Sequence, residues 1–307
     1  MARMETLDWL SRYLLLLGIP YFLVLIAWEL WILRRPALRE GTKGYEWRDS
    51  ATSMGLGLIK LAMLALCALY TVPLFAWVYE HRVFTLSPLV WWTWVLLFFA
   101  DDFTYYWYHR FAHRVRLLWS EHVNHHSSEH YNLSTALRQS TLGPAFAFIY
   151  WLPLAWIGFH PAAIAVQFGV SLLYQFWIHT EVIGRLGWLE QVINTPSHHR
   201  VHHGSNGIYL DRNYGGILII WDRLFGTFQP ERPDVPVRYG LVHDIRTFRL
   251  PTVIFHELAF LLRQAWNARG WRNKLGWMFG PPEWSPDGPR WPDDHPRGGL
   301  ARTTQTS

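Results

Sequence analysis

The sequence predicts an all-α integral membrane protein: about four to five transmembrane helices, with a cytoplasmic His-rich di-metal helical cap. Three observations predict it. Apolar residues make up 50% of the 307 and charged ones only 17%, below the roughly 25% usual in soluble chains. Tryptophan occurs 20 times, and its amphipathic ring favours the membrane–water boundary. The 16 histidines are gathered into a few short stretches instead of being scattered.

Each element follows in chain order. Residues 13–33, YLLLLGIPYFLVLIAWELWIL, are long enough to span a bilayer, since ~20 apolar residues suffice. The run ends in Trp and Arg-Arg, not in the small residues of a cleavage site, which favours a retained anchor over a signal peptide. Residues 54–79 form a second span, with Lys60 near one end and placed to snorkel. Residues 88–108 form a third. Asp101 and Asp102 in its last part require that it leave the hydrocarbon early or face a polar interior. Residues 142–158 and 161–179 read as a hairpin pair broken at GFHP. Residues 250–266 are interrupted by His256, Glu257 and Arg263 and suit an interfacial helix. Residues 1–270 thus form a single membrane-embedded domain. The Pro/Gly-rich, charged stretch 280–307 reads as a disordered tail.

Basic residues set the orientation. Arg34, Arg35, Arg39, Lys43 and Arg48 follow the first span and mark that loop as cytoplasmic. Alternation then places 109–141 and 180–249, with nearly all the histidines, on the same face. The +5 net charge is interleaved with apolar runs, so an anionic lipid surface fits better than nucleic acid. A single cysteine, Cys67, excludes disulfide frameworks, Cys-based zinc sites and iron–sulfur clusters.

The histidine spacings carry the chemistry. His109 and His113 stand at i and i+4. His122, His125 and His126 stand at i, i+3 and i+4, and His199, His202 and His203 repeat that spacing. Residues so spaced share one helix face. Eight converging imidazoles would be costly to charge or leave unpaired in an interior. A first-row metal removes that cost, because neutral imidazole is a good ligand. One zinc needs three or four ligands, so eight suit two ions, and imidazole alone does not choose between zinc and iron. The Glu-x-x-His motif of soluble di-iron bundles is absent. His179, His198 and His243 are possible additional ligands, and Glu121 and Asp211 candidate partners that orient histidines. Gly215 and Gly216 read as a tight turn. His81, His160, His256 and His295 read as bystanders. A rival reading takes HSSEH (126–130) as an inverted zinc-peptidase motif with Glu129 as base. It leaves His109, His113, His122 and the third box unexplained.

The His-x3-His, His-x2-His-His and distant His-x2-His-His pattern resembles the fatty acid hydroxylase/sterol desaturase superfamily. LLWSEHVNHHSSEHYNLSTALRQS (117–140), LLYQFWIHTE (172–181) and the stretch from NTPSHHRVHHGSN to DRNYGGILIIWDRLFGTF (194–228) are similar to its alkylglycerol monooxygenase branch and bacterial relatives. The resemblance covers roughly residues 45–250, the core of the domain, and implies a multi-pass membrane di-iron oxygenase. Its eight box histidines would be iron ligands and the di-iron centre itself the catalytic group. Zinc would be able to substitute in a purified sample. O2 is the implied oxidant and a membrane lipid the substrate. The implied reaction is hydroxylation beside an ether oxygen, leading to alkylglycerol cleavage. Hydroxylation or desaturation of an ornithine lipid, fatty acyl chain or sterol is the alternative. No cytochrome b5-like domain is present, so a separate electron donor is implied, tetrahydrobiopterin being one candidate. Arg138 is a candidate contact for a polar lipid head. The expected location is the bacterial inner membrane, or the endoplasmic reticulum in a eukaryote.

Overall fold

The computed structural model describes residues 2–36, 41–292 and 294–295. The described chain is helical. It contains no strand, only two isolated bridges, Leu86 with Phe159 and Ile193 with Leu218.

Helices α1 (Ala2–Leu17) and α2 (Ile19–Ile32) make one apolar rod, and α3 (Trp47–Glu80) makes another. These two are long and apolar enough to cross a membrane, 30 residues for Arg3–Ile32 and 34 for α3. Both leave large apolar side chains exposed, among them Leu23, Val24, Leu58 and Leu69. Outward leucine and valine at that density suit a hydrocarbon solvent. The third expected span becomes α4 (Trp91–Arg114). Asp101 and Asp102 are both fully buried on it, so this helix faces a polar interior.

The hairpin expected at 142–158 and 161–179 differs from expectation. Residues 142–158 do not form one helix. They break into 3-10 turns at Gly143–Ala145 and Ala147–Tyr150 and a short α6 (Leu152–Ile157). Pro144 and Pro153 each sit at the start of a new piece, where a missing N–H and a fixed φ initiate a helix rather than continue one. Gly158, at φ 133, turns the chain into α7 (Pro161–Trp177). His160 caps that helix, its Nδ1 accepting from Ala162 N at 3.2 Å.

Above this layer, Val115 adopts an extended conformation between α4 and α5 (Arg116–His126). The break folds α5 back against α4. Next come α8 (Pro196–His202), α9 (Ile220–Leu224), α10 (Leu250–Asn267) and α11 (Trp271–Phe279). Helix α10 packs on α5, with Phe255, Leu262 and Trp266 left outward. The tail expected from residue 280 lies outside the described residues from 296 onward. Its described part lies on the cap: Arg116 N donates to Gly280 O at 3.0 Å and Gly207 N to Asp294 Oδ2 at 2.9 Å.

Two buried carboxylates tie the apolar helices to the cap. Asp49, in the first turn of α3, accepts from Ser128 Oγ at 2.6 Å and pairs with Arg138 Nη1 at 3.2 Å. Glu29 of α2 accepts from Leu133 N at 2.8 Å, from Tyr45 Oη and from Thr180 Oγ1. Lys60 does not snorkel; it turns inward and donates to Gln139 Oε1 at 2.6 Å. Replacing Glu29 by Ala strands three buried donors and is expected to cost about 2–4 kcal/mol. Thermal unfolding in detergent should show a clearly lowered midpoint, and an unchanged one would show that the latch contributes nothing.

Candidate metal centre

Nine histidines meet in the cap. His109, His113, His122, His126 and His202 place a ring nitrogen each within 4.8 Å of one another, and His125, His179, His199 and His203 do the same. The two groups abut: the rings of His126 and His203 lie 4.4 Å apart, and those of His199 and His202 5.1 Å apart. All eight box histidines are brought together. His179, at the end of α7, completes the second group.

The ring orientations follow from backbone carbonyls. Nδ1 of His109 meets Tyr214 O at 2.9 Å, and Nδ1 of His125 meets Arg138 O at 3.0 Å. Nδ1 of His179 meets Gln175 O at 2.7 Å, and Nδ1 of His202 meets Arg212 O at 3.0 Å. A carbonyl only accepts, so these four Nδ1 atoms carry the proton and each Nε2 is left with a lone pair. Those lone pairs point inward. His125 Nε2 faces His179 Nε2 at 3.2 Å, where two acceptors have no hydrogen between them. Nε2 of His113, His202 and His203 and Nδ1 of His199 are buried without a partner. Protonation is a poor remedy, because burial lowers the proton affinity of every box histidine. His179 is pushed down to about 4 by burial, against the opposing pull of the Gln175 carbonyl. Divalent metal ions satisfy this donor set, and an all-imidazole set suits first-row metals.

Polar braces hold the frame. Asp102 accepts from Ile217 N at 2.7 Å, Leu218 N at 3.0 Å and Trp221 Nε1 at 2.9 Å. Asp222 accepts from Tyr214 N, Gly215 N and Thr227 Oγ1 at 2.6–2.8 Å. Together they press the loop that carries the Tyr214 carbonyl onto α4. The approach is close enough to demand glycine. A Cβ on Gly216 would lie 2.8 Å from Tyr105 Cδ1 and 3.1 Å from Asp102 Oδ1. Asn213, held at φ 55, donates to His198 O and Gln229 O. Arg200 joins α8 to the His179 segment by donating to Thr180 O at 3.0 Å and forking onto Glu231 at 2.7–2.8 Å. These braces escaped the sequence reading. Buried acids in otherwise apolar text, such as Asp102, were their one signal.

The other expected site residues lie outside both groups. His198 joins neither group; its Nε2 is 4.0 Å from Glu190. His243 is exposed on an outer cavity. Glu121 bonds no histidine. It accepts from Ser140 Oγ at 2.9 Å and Leu142 N at 2.8 Å and so fixes the following loop. Asp211 lies 3.8 Å from His113 Nδ1 and pairs with Arg114 at 2.7 Å. Arg138 is no surface group for a lipid head. It is buried, its Nε donating to Asn124 O and Ser127 Oγ, and its own carbonyl orients His125. For the hydrolase motif, Glu129 is exposed and His130 lies outside both groups.

Residues 94–227 match the family model described as fatty acid hydroxylase. Alkylglycerol monooxygenase of Homo sapiens is 44% identical over 277 residues, covering 88% of this chain and 60% of that protein. The Danio rerio protein of the same name gives the same identity and coverage. Ornithine lipid hydroxylase of Rhizobium tropici is 34% identical over 144 residues, 43% of this chain and 40% of that protein. The chain thus spans about 60% of the length of the alkylglycerol monooxygenases from these two vertebrates. No solved structure matches it.

Two outcomes are expected. Gly216→Ala should destabilise by about 1–3 kcal/mol through overpacking, seen as a lower unfolding midpoint than that of a Gly184→Ala control, where a Cβ meets nothing. Metal-free protein should be acid-labile. Folding holds His179, beyond the end of α7, neutral down to about 4 because it is buried, whereas an unfolded histidine titrates near 6.5. The contribution is complete above about pH 6.5 and is lost as pH falls from there towards 4. A chelated sample whose unfolding midpoint stays flat over that window would contradict the buried neutral cluster.

Proposed function

The chain carries a fatty acid hydroxylase domain over residues 94–227, and from that premise we propose that it is a multi-pass membrane non-haem di-iron oxygenase acting on a lipid C–H bond. The observation that carries the reading is the pair of abutting histidine groups with inward lone pairs. The five-histidine group would hold one iron and the four-histidine group the other. When bound, the two ions supply O2 reduction and removal of a hydrogen atom from the lipid.

The protein's own residues do the rest. The carbonyls of Tyr214, Arg138, Gln175 and Arg212 fix four ligand tautomers, which keeps ligand nitrogens unprotonated and preorganised. Burial of the box histidines keeps bulk water from the reacting atoms. Beneath the site, α4 and α7 bring Tyr105 and Gln175 one turn before His109 and His179, and the lipid tail lies in the apolar layer these helices share with α3. The rods α1–α2 and α3, with α4 and α7, anchor the protein, and the histidine cap faces the cytoplasm, as the basic residues after α2 favour. A bacterial inner membrane suits this arrangement, and a separate donor supplies electrons.

Identity to alkylglycerol monooxygenases over most of this chain favours hydroxylation of the carbon beside an ether oxygen. The resulting hemiacetal would part into an aldehyde and a glycerol derivative. The shorter match to an ornithine lipid hydroxylase favours, as second reading, simple hydroxylation of another lipid. Iron-loaded protein given an alkylglycerol, a reductant and O2 should release fatty aldehyde. Unchanged ether lipid alongside a hydroxylated second lipid would select the second reading, and turnover without oxygen in a zinc-loaded sample would overturn both. His179→Ala and His203→Ala should each abolish turnover and lower iron content by about one of two ions. Full activity in His179→Ala would remove the ninth histidine from the site.

A further inference from the structure

The wall outside the four-histidine group holds a feature that the ligand set does not use. Tyr131 and Tyr239 stack with centroids 4.7 Å apart and planes 5° from parallel. Inward, the Tyr131 ring lies 5.1 Å from that of His203 and 5.9 Å from that of His179, the latter at 29°. Outward, Tyr239 lines a cavity of about 730 Å³ with Arg238, His243, Arg290 and Trp291. Both tyrosines are buried. Tyr131 Oη donates to Ile178 O at 3.1 Å and the Tyr239 hydroxyl bonds Glu181, so both rings are fixed. Two layers of parallel π-system therefore join the cavity to the second histidine group.

We infer that this cavity docks the electron donor and that the Tyr239–Tyr131 stack is the path its electrons take to the metal of the four-histidine group. The inference rests on the oxygenase reading, which requires an outside reductant. One oxygen atom enters the C–H bond as hydroxyl and the other leaves as water. Forming that water takes two electrons and two protons, and the donor gives up the same number. Electrons cross through the ring orbitals, and neither tyrosine is oxidised or deprotonated. The donor is a small, flat, reduced heteroaromatic: the His243 imidazole and the Arg238 and Arg290 guanidiniums offer faces and edges that stack on such a ring and bind its carbonyl side, while Trp291, stacked on His295 with centroids 3.6 Å apart, backs the wall. Asp244 and Asp294 share the rim: Leu241 N donates to Asp244 Oδ1 at 2.7 Å and Gly207 N to Asp294 Oδ2 at 2.9 Å, and Arg238, which donates to Ser205 O at 3.3 Å, lies 3.8 Å from that same Asp294 oxygen, so its exposed guanidinium is held at the rim. The competing input is Trp119, part-exposed and 5.1 Å from His113.

The test mixes oxidised, iron-loaded full-length protein anaerobically with tetrahydrobiopterin or with reduced flavin mononucleotide and follows iron reduction by stopped-flow absorbance. Tyr239→Leu should slow reduction on the order of tenfold at unchanged iron content, while Tyr239→Phe, which keeps the ring, should stay near wild type. Arg238→Gln should raise the donor concentration needed for half-maximal rate and leave the limiting rate alone. It lies away from the ligands, so it keeps the test decisive if Tyr239→Leu fails to load iron. Reduction by either donor along this path supports the site and identifies the donor. Wild-type reduction rates in both Tyr239→Leu and Arg238→Gln would overturn it, as would slowing by Trp119→Leu alone. A wild-type protein that loads iron yet consumes no O2 with any lipid would instead refute the oxygenase reading.

Discussion

Everything in the cap answers to one constraint: imidazole lone pairs held at hydrogen-bond distance with no hydrogen between them. His125 and His179 show it most plainly, each spending its Nδ1 proton on a carbonyl and turning a bare Nε2 to the other. Protonation does not relieve this, because it would place charge where burial opposes it. Cations can. The donor set is therefore one that suits metal, and the surrounding structure consists of devices that keep it assembled.

Those devices are mostly backbone carbonyls and buried acids, not charged partners of the histidines. Asp102 and Asp222 take main-chain N–H groups of the 214–218 loop and thereby aim the Tyr214 carbonyl at His109. Arg138, held by Asp49 at the head of α3, positions its own carbonyl on His125. The apolar rods and the polar cap are thus mechanically continuous, because Arg138, which latches one to the other, also orients a box histidine. Glu29 extends the logic, reaching from α2 to Thr180, the residue after His179.

The sequence was most legible where chemistry repeats at a helical period. Eight histidines at i, i+3 and i+4 spacings come together as expected, and the family resemblance drawn from the text around them agrees with the comparisons. It was least legible where one residue serves two masters. Arg138 reads as a contact for a lipid head and is a buried brace. Glu121 reads as a histidine partner and holds a loop instead. Lys60 reads as a snorkelling residue and turns inward. Residues 142–158 read as one span because hydropathy averages over Pro144 and Pro153, which divide it locally.

By itself, then, the sequence determined composition and periodicity: an apolar helical protein, boxes that can each aim two or three imidazoles at a point, and a donor set suited to first-row metal. Those properties are local, since hydropathy and helical spacing act within a few turns. Tertiary structure alone decided how the nine rings divide five and four, that His179 joins while His198 and His243 do not, and which carbonyl sets each tautomer. It also decided that Tyr131 and Tyr239, more than a hundred residues apart, stack face to face. These are contacts between distant segments, fixed by how α4, α5, α7 and α8 pack, and no spacing along the chain encodes them.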